Sequence, residues 1–150
     1  MSERWDRHFL NLAAEHAKMS KDPSSKIGAV IVGPDREIRS VGFNGFPRGV
    51  ADTDERLNDR EQKYDLVVHA ELNAVLAAAM VGTSVKGCTL YLHAPFGGPP
   101  CIRCTVSLIQ AGIIEIVGNV AEGNERWRDT LSKSREILAE VGITYREFVL

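Results

Sequence analysis

The sequence predicts an α/β fold in which a mixed sheet, its late strands parallel, carries helices on both faces. Two observations support this. From about residue 68 to the end, short apolar runs alternate with stretches of helical periodicity, the order expected of strand–helix–strand units. Before them, two short runs joined by Gly33-Pro34-Asp35 read as a β-hairpin, which adds antiparallel strands. No repeat, low-complexity tract or linker interrupts the pattern, so residues 1–150 are read as one domain.

In chain order, Trp5, Phe9, Leu12, Ala13 and Ala17 recur at helical spacing and predict an amphipathic helix over residues 3–20. His8 and His16 lie off the richest part of that stripe and read as surface or boundary residues. Residues 20–24, Ser-Lys-Asp-Pro-Ser, break the helix. The continuous apolar run at 27–32 has the character of a strand buried on both faces, and 37–42 is its hairpin partner. Phe43-Asn44-Gly45-Phe46-Pro47-Arg48-Gly49 is a shaped loop, well suited to ligand contact. Residues 52–65 are almost wholly charged or polar and read as a solvated connection with one helical turn; Tyr64, at its end, is placed to close over a pocket.

From Val68 to Met80, Leu72, Val75, Leu76 and Ala79 mark a buried helix stopped by Gly82. Residues 88–93 form the third strand, 101–111 a helix ended by Gly112, and 113–117 the fourth strand. Trp127, Leu131, Ser134, Leu138 and Val141 give a last helix, and 143–148 the fifth strand. Cys88 and His93 are read as structural.

The chemistry is concentrated in Val68-His69-Ala70-Glu71-Leu72-Asn73 and Gly98-Pro99-Pro100-Cys101-Ile102-Arg103-Cys104. A catalytic Zn²⁺ takes three protein ligands and leaves one position open, and an imidazole with two thiolates is an ordinary set. His69, Cys101 and Cys104 supply it. The cysteines, at i and i+3, share one face at a helix start, where the unpaired N–H groups favour thiolates. Glu71 follows His69 too closely to be an obvious further ligand, and its expected role is proton transfer beside the metal. His-x-Glu followed by Pro-Cys-x-x-Cys is the arrangement found in zinc-dependent nucleobase deaminases. Each half alone has a plainer reading, a helix start or a structural or redox cysteine pair.

Composition narrows the setting. Hydrophobic residues make up 44% and charged residues 25%, the balance of a globular domain. No apolar run approaches a membrane span, and Met1-Ser2-Glu3-Arg4-Trp5-Asp6 lacks the layout of a secretion signal, so a cytoplasmic, membrane-free protein is expected. With two of three cysteines assigned to metal, Cys88 is left unpaired, which suits a reducing compartment. A net charge of −2 argues against a broad nucleic-acid surface but allows a local cation cluster for a small anionic substrate.

His69-Ala70-Glu71-Leu72-Asn73-Ala74, the cysteine pair, Lys21-Asp22-Pro23-Ser24 before Ile27-Gly28-Ala29-Val30, and Gly42-Phe43-Asn44-Gly45-Phe46-Pro47-Arg48-Gly49 together resemble the zinc-dependent cytidine and deoxycytidylate deaminases, closest to the deoxycytidylate branch, over residues 5–118. The resemblance implies a three-layer α/β/α, cytidine-deaminase-like fold around a five-stranded sheet, and hydrolysis of dCMP to dUMP by a zinc-bound hydroxide. It also implies a homo-oligomer, hexamer or dimer, with possible control by dCTP and dTTP. In that reading Glu71 shuttles protons, the Ala70 N–H holds the base carbonyl, a carbonyl near Pro99 receives the exocyclic amine, and Asn44 binds the sugar. A mononucleotide substrate calls for cations near the site. Lys26 and Arg48 are the first candidates, with Arg126 and Arg128 behind them. The sequence departs from the family's pattern at residues 94–99, a longer passage from strand to Pro-Cys, and at Phe43, where the family usually has Tyr. A deaminase of another amino-base or nucleoside, a tRNA adenosine editor and a non-catalytic zinc module stay open as alternatives.

Overall fold

The computed structural model describes residues 2–122 and 125–150. Five strands, β1 (Gly28–Val32), β2 (Ile38–Phe43), β3 (Thr89–His93), β4 (Glu115–Asn119) and β5 (Thr144–Phe148), form one sheet in the order β2-β1-β3-β4-β5. β1 runs antiparallel to both β2 and β3, and β3, β4 and β5 are parallel. The expected hairpin and parallel half are therefore both present. All five residues of β1 are buried, as its unbroken apolar run requires of a strand covered on both faces.

Helix α1 (Glu3–Ala17) covers one face of the sheet alone, packing Phe9, Leu10 and Ala13 on Val30, Val32, Tyr91 and Val117. The other face carries α4 (Ala70–Val81), α5 (Ile102–Ala111) and α6 (Arg128–Glu140), whose Ala74, Ala78, Leu108 and Leu138 pack on Ala29, Ile31, Leu90 and Ile116. Both parallel crossovers, through α5 and through α6, return on this same face, so the strand order advances steadily toward β5. The layering is the expected α/β/α. No helix among the described residues is long and apolar enough to cross a membrane.

Three expectations need correction. The first helix stops at Ala17, with turns through Ser20. The charged stretch at 52–65 holds two short helices, α2 (Asp54–Asn58) and α3 (Arg60–Leu66), in place of a single turn. Each has its own N-cap: the Thr53 hydroxyl accepts from the Arg56 N–H, and Asp59 accepts from both the backbone and the side chain of Gln62.

The third correction concerns α4, whose buried residues are the small Ala70, Ala74 and Ala78 with Glu71, while Leu76, Met80 and Val81 are exposed. The cause is close approach. A Cβ on Gly42 in β2 would lie 2.3 Å from the Ala70 carbonyl oxygen and 2.5 Å from the Ala74 nitrogen. With glycine below and alanines above, the first turn of α4 rests directly on the sheet, which brings His69 and Glu71 down to its edge.

Candidate metal centre and active site

The antiparallel pairing of β1 places its start beside the ends of β2 and β3, Gly28 opposite both Phe43 and His93. The loops leaving β2, β3 and β4 therefore open at one edge, the place where open α/β sheets bind ligands. His69 is the N-cap of α4 and Cys101 the N-cap of α5, with Glu71 and Cys104 in the first turns that follow. Two helix N-termini thus point their partial positive charge at one spot.

His69 Nδ1 lies 3.5 Å from Cys101 Sγ and 3.5 Å from Cys104 Sγ, and the three ligand atoms are all within 4.8 Å of one another. Zinc bonds of about 2.3 Å to sulfur and about 2.0 Å to nitrogen, at tetrahedral angles, require an N–S separation of about 3.5 Å. The three side chains therefore fit a zinc ion with little movement. Their protonation points the same way. The Cys101 thiol is pulled down to about 4 by its hydrogen bonds with Cys104 and His69. The Cys104 thiol is pushed up, first by that same bond and then by burial. The pair by itself ionises only once, and a divalent cation is what would let both sulfurs become thiolates.

Glu71 is only 4% exposed, and its Oε2 has no hydrogen-bond partner among the described residues. Burial pushes its carboxyl up to about 7. An orphaned buried carboxyl beside a metal-ligand cluster and poised near neutrality is the profile of an acid–base group.

His69, Glu71 and Cys101 line a cavity of about 400 Å³. Asn44, Tyr64 and Pro99 line it too. Asn44 is buried and heavily committed: its Oδ1 accepts the Ile27 N–H at 2.8 Å and its Nδ2 donates to the Ser25 carbonyl at 2.8 Å. Ala70 opens α4, so its N–H has no intrahelical acceptor. Lys26 and Arg48 are placed elsewhere. Lys26 Nζ donates to the Ser20 carbonyl, and Arg48 lines a separate cavity formed by the Asn44 loop. Arg128 pairs with Glu125 at 2.8 Å.

The cations that do line the cavity are Arg60, Lys63 and Arg126. Lys63 bonds Asp22 at 3.2 Å, and the Arg126 guanidinium sits 5.5 Å from the Tyr64 ring and 5.2 Å from that of Trp127. Trp127 stacks on Phe96 at 5.3 Å, so residues 94–99 form part of the aromatic wall. Of these residues, the sequence reading singled out only Arg126 and Tyr64 for the site. Arg60 and Lys63 lie in a charge run that resembles plain surface. The one available signal was the Asp59-x-x-Gln62 capping pattern, which announces a helix whose side chains have fixed directions.

Comparison with known proteins adds relatives to this geometry. The family model described as the cytidine and deoxycytidylate deaminase zinc-binding region matches residues 3–119. The chain is 36% identical to the deoxycytidylate deaminase of Homo sapiens over 152 residues, covering 97% of this chain and 80% of that one. It is likewise 36% identical to the deoxycytidylate deaminase of Mus musculus, covering 96% and 79%. The crystal structure of dCMP deaminase from cyanophage S-TIM5, in complex with dCMP and dUMP, shares the fold with a TM-score of 0.77 at 22% identity, covering 99% of both chains.

Proposed function

The chain belongs to the cytidine and deoxycytidylate deaminase family, and within it we propose that this protein hydrolyses dCMP to dUMP and ammonia. One observation carries the reading beyond the family. A single cavity brings the metal-ligand cluster and the buried Glu71 together with three cations, Arg60, Lys63 and Arg126, suited to a phosphate. The relatives named deoxycytidylate deaminase support the same substrate.

His69, Cys101 and Cys104 would hold zinc, which would supply the Lewis acidity that lets a water ionise near neutral pH. Glu71 takes a proton from the attacking water and passes it to ring N3 as the oxygen adds at C4. The C4–N bond then breaks, and Glu71 delivers the second proton to the departing amine, so water enters and ammonia leaves. Its raised pKa suits a group that must both take and give a proton. The Ala70 N–H holds the base carbonyl, and a carbonyl near Pro99 receives the exocyclic amine. Asn44 meets the sugar hydroxyl with the second lone pair of Oδ1, the acceptor capacity its structural bonds leave over.

The protein acts in the cytoplasm, a setting that suits three cysteines without a disulfide among them, and it works as a homo-oligomer, dimer or hexamer. What supports assembly is α4, apolar on its outer side as well as its inner one, with Leu76 48%, Met80 63% and Val81 67% exposed.

The test is ammonia release over a panel of cytosine, deoxycytidine, dCMP, adenosine and guanine. dCMP is expected to lead. Arg126→Ala should lower kcat/KM for dCMP by roughly 10- to 150-fold, the worth of one charge-assisted contact, and leave deoxycytidine nearly untouched. Equal use of deoxycytidine, or better use of another amino-base, would remove the phosphate from the argument.

A further inference from the structure

A helix usually starts on Ser, Thr, Asp or Asn, whose side-chain oxygen takes one of the first unpaired N–H groups. Helix α5 starts on Cys101, whose side chain makes no cap hydrogen bond. Its sulfur is turned instead to His69 Nδ1, 3.5 Å away. The Ile102 N–H, which carries the start of the helix, donates to the hydroxyl of Thr130 at 3.0 Å. That hydroxyl comes from α6, outside residues 3–119 matched by the family model.

The neighbouring contacts grip the same turn. The Thr105 hydroxyl, fully buried, donates to the Pro100 carbonyl at 3.2 Å. Leu131, next to Thr130, packs on Gly98, where φ is +87° and an added Cβ would come within 2.9 Å of Leu131 Cδ1. Thr130 is itself steadied by the Ser134 hydroxyl, which donates to its carbonyl at 3.0 Å.

We propose that Thr130 is a positioning residue for the metal centre, accepting from α6 the first N–H of α5, a donor that no side chain at position 101 would reach. The Ile102 N–H belongs to the same planar peptide unit as the Cys101 carbonyl. Fixing that N–H fixes ψ of Cys101, which stands at 160°, and so fixes how the residue bearing the sulfur joins the helix that carries Cys104. Trp127 and Leu131, on either side of Thr130, line the cavity. One segment therefore shapes the substrate wall and aims a metal ligand. The inference rests on His69, Cys101 and Cys104 being the zinc ligands.

The experiment removes zinc from the purified protein and measures its return by competition with a chelator, alongside Tm of the zinc-free and zinc-loaded forms. Thr130→Val keeps the shape and loses the acceptor. It should weaken zinc binding by roughly 10- to 100-fold, the usual effect of losing a group that orients a ligand, and shift the ligand-field spectrum of the cobalt-substituted protein. Thr130→Ser should restore both. Should Thr130→Val fail to fold, Thr130→Ala is read in the same way. Wild-type zinc affinity in the Val or Ala variant, with equal Tm losses in both forms, would reduce Thr130 to an ordinary helix cap and overturn the proposal. Failure of the ligand assignment looks different: Cys104→Ala would then hold zinc as tightly as the wild type.

Discussion

At the scale of single residues, Glu71 has the most demanding position. It is nearly enclosed, one oxygen has no partner, and burial holds its carboxyl up at about 7. A carboxyl kept buried with one oxygen unpaired among the described residues fits the proposed proton transfer. Glu71→Gln keeps the shape and removes the ionisation, so it should retain zinc and Tm while losing about 10²- to 10⁴-fold in kcat. Turnover near the wild-type rate in that variant would show that protons move another way. The cluster was legible in the sequence because His69, Glu71, Cys101 and Cys104 stand at spacings that put all four on helix starts. Lys63 and Thr130 were not legible. Their roles depend on which residue 39 or 28 positions away lies opposite, Ser24 for one and Ile102 for the other, and no local pattern encodes that.

At the scale of elements, the strands and the long helices could be read because apolar periodicity reports the face each one buries. What periodicity hid was a polar residue on a buried stripe. Asp6 lies on the inner side of α1 and is fully buried. It accepts hydrogen bonds from the Tyr91 hydroxyl at 2.8 Å and from Arg146 at 2.9 and 3.2 Å. Arg146 in turn reaches Glu115 at 2.8 Å, whose other oxygen accepts from Thr89 at 3.1 Å. One carboxylate thus ties α1 to β3 and β5, and through Arg146 to β4, on the face opposite the metal centre. Asp6→Ala leaves Arg146 partly buried with one partner fewer. It should destabilise the protein by about 2–4 kcal/mol, somewhat below the cost of breaking a fully enclosed ion pair. Chemical denaturation would check this. Since the network is remote from the cavity, zinc affinity should stay at the wild-type level, and a shift of the unfolding midpoint too small to measure would show that the network contributes no net stability.

At the scale of the whole molecule, α4 faces two ways. Its inner side is alanine because Gly42 lets it lie against the sheet, and its larger apolar residues are therefore displaced outward. That outcome could not be read from the sequence, where Leu76 looks like core; the deciding quantity is the helix-to-sheet distance, set by a glycine 34 residues away. The exposed Leu76, Met80 and Val81 leave unburied apolar area on the outer side of α4, and Val106 of the neighbouring α5 is 49% exposed. Apolar area taken out of water contributes about 25 cal/mol per Å², so pairing two symmetric copies of the patch would work against the entropy of association. The wild-type protein should therefore sediment as a multiple of its 16.5 kDa chain. Met80→Glu, which sets two carboxylates into the shared surface, should shift it toward the single chain and leave the far-ultraviolet circular dichroism unchanged. A wild-type protein that sediments as one chain would show that α4 stays uncovered, and an assembly that survives Met80→Glu would move the interface to another face.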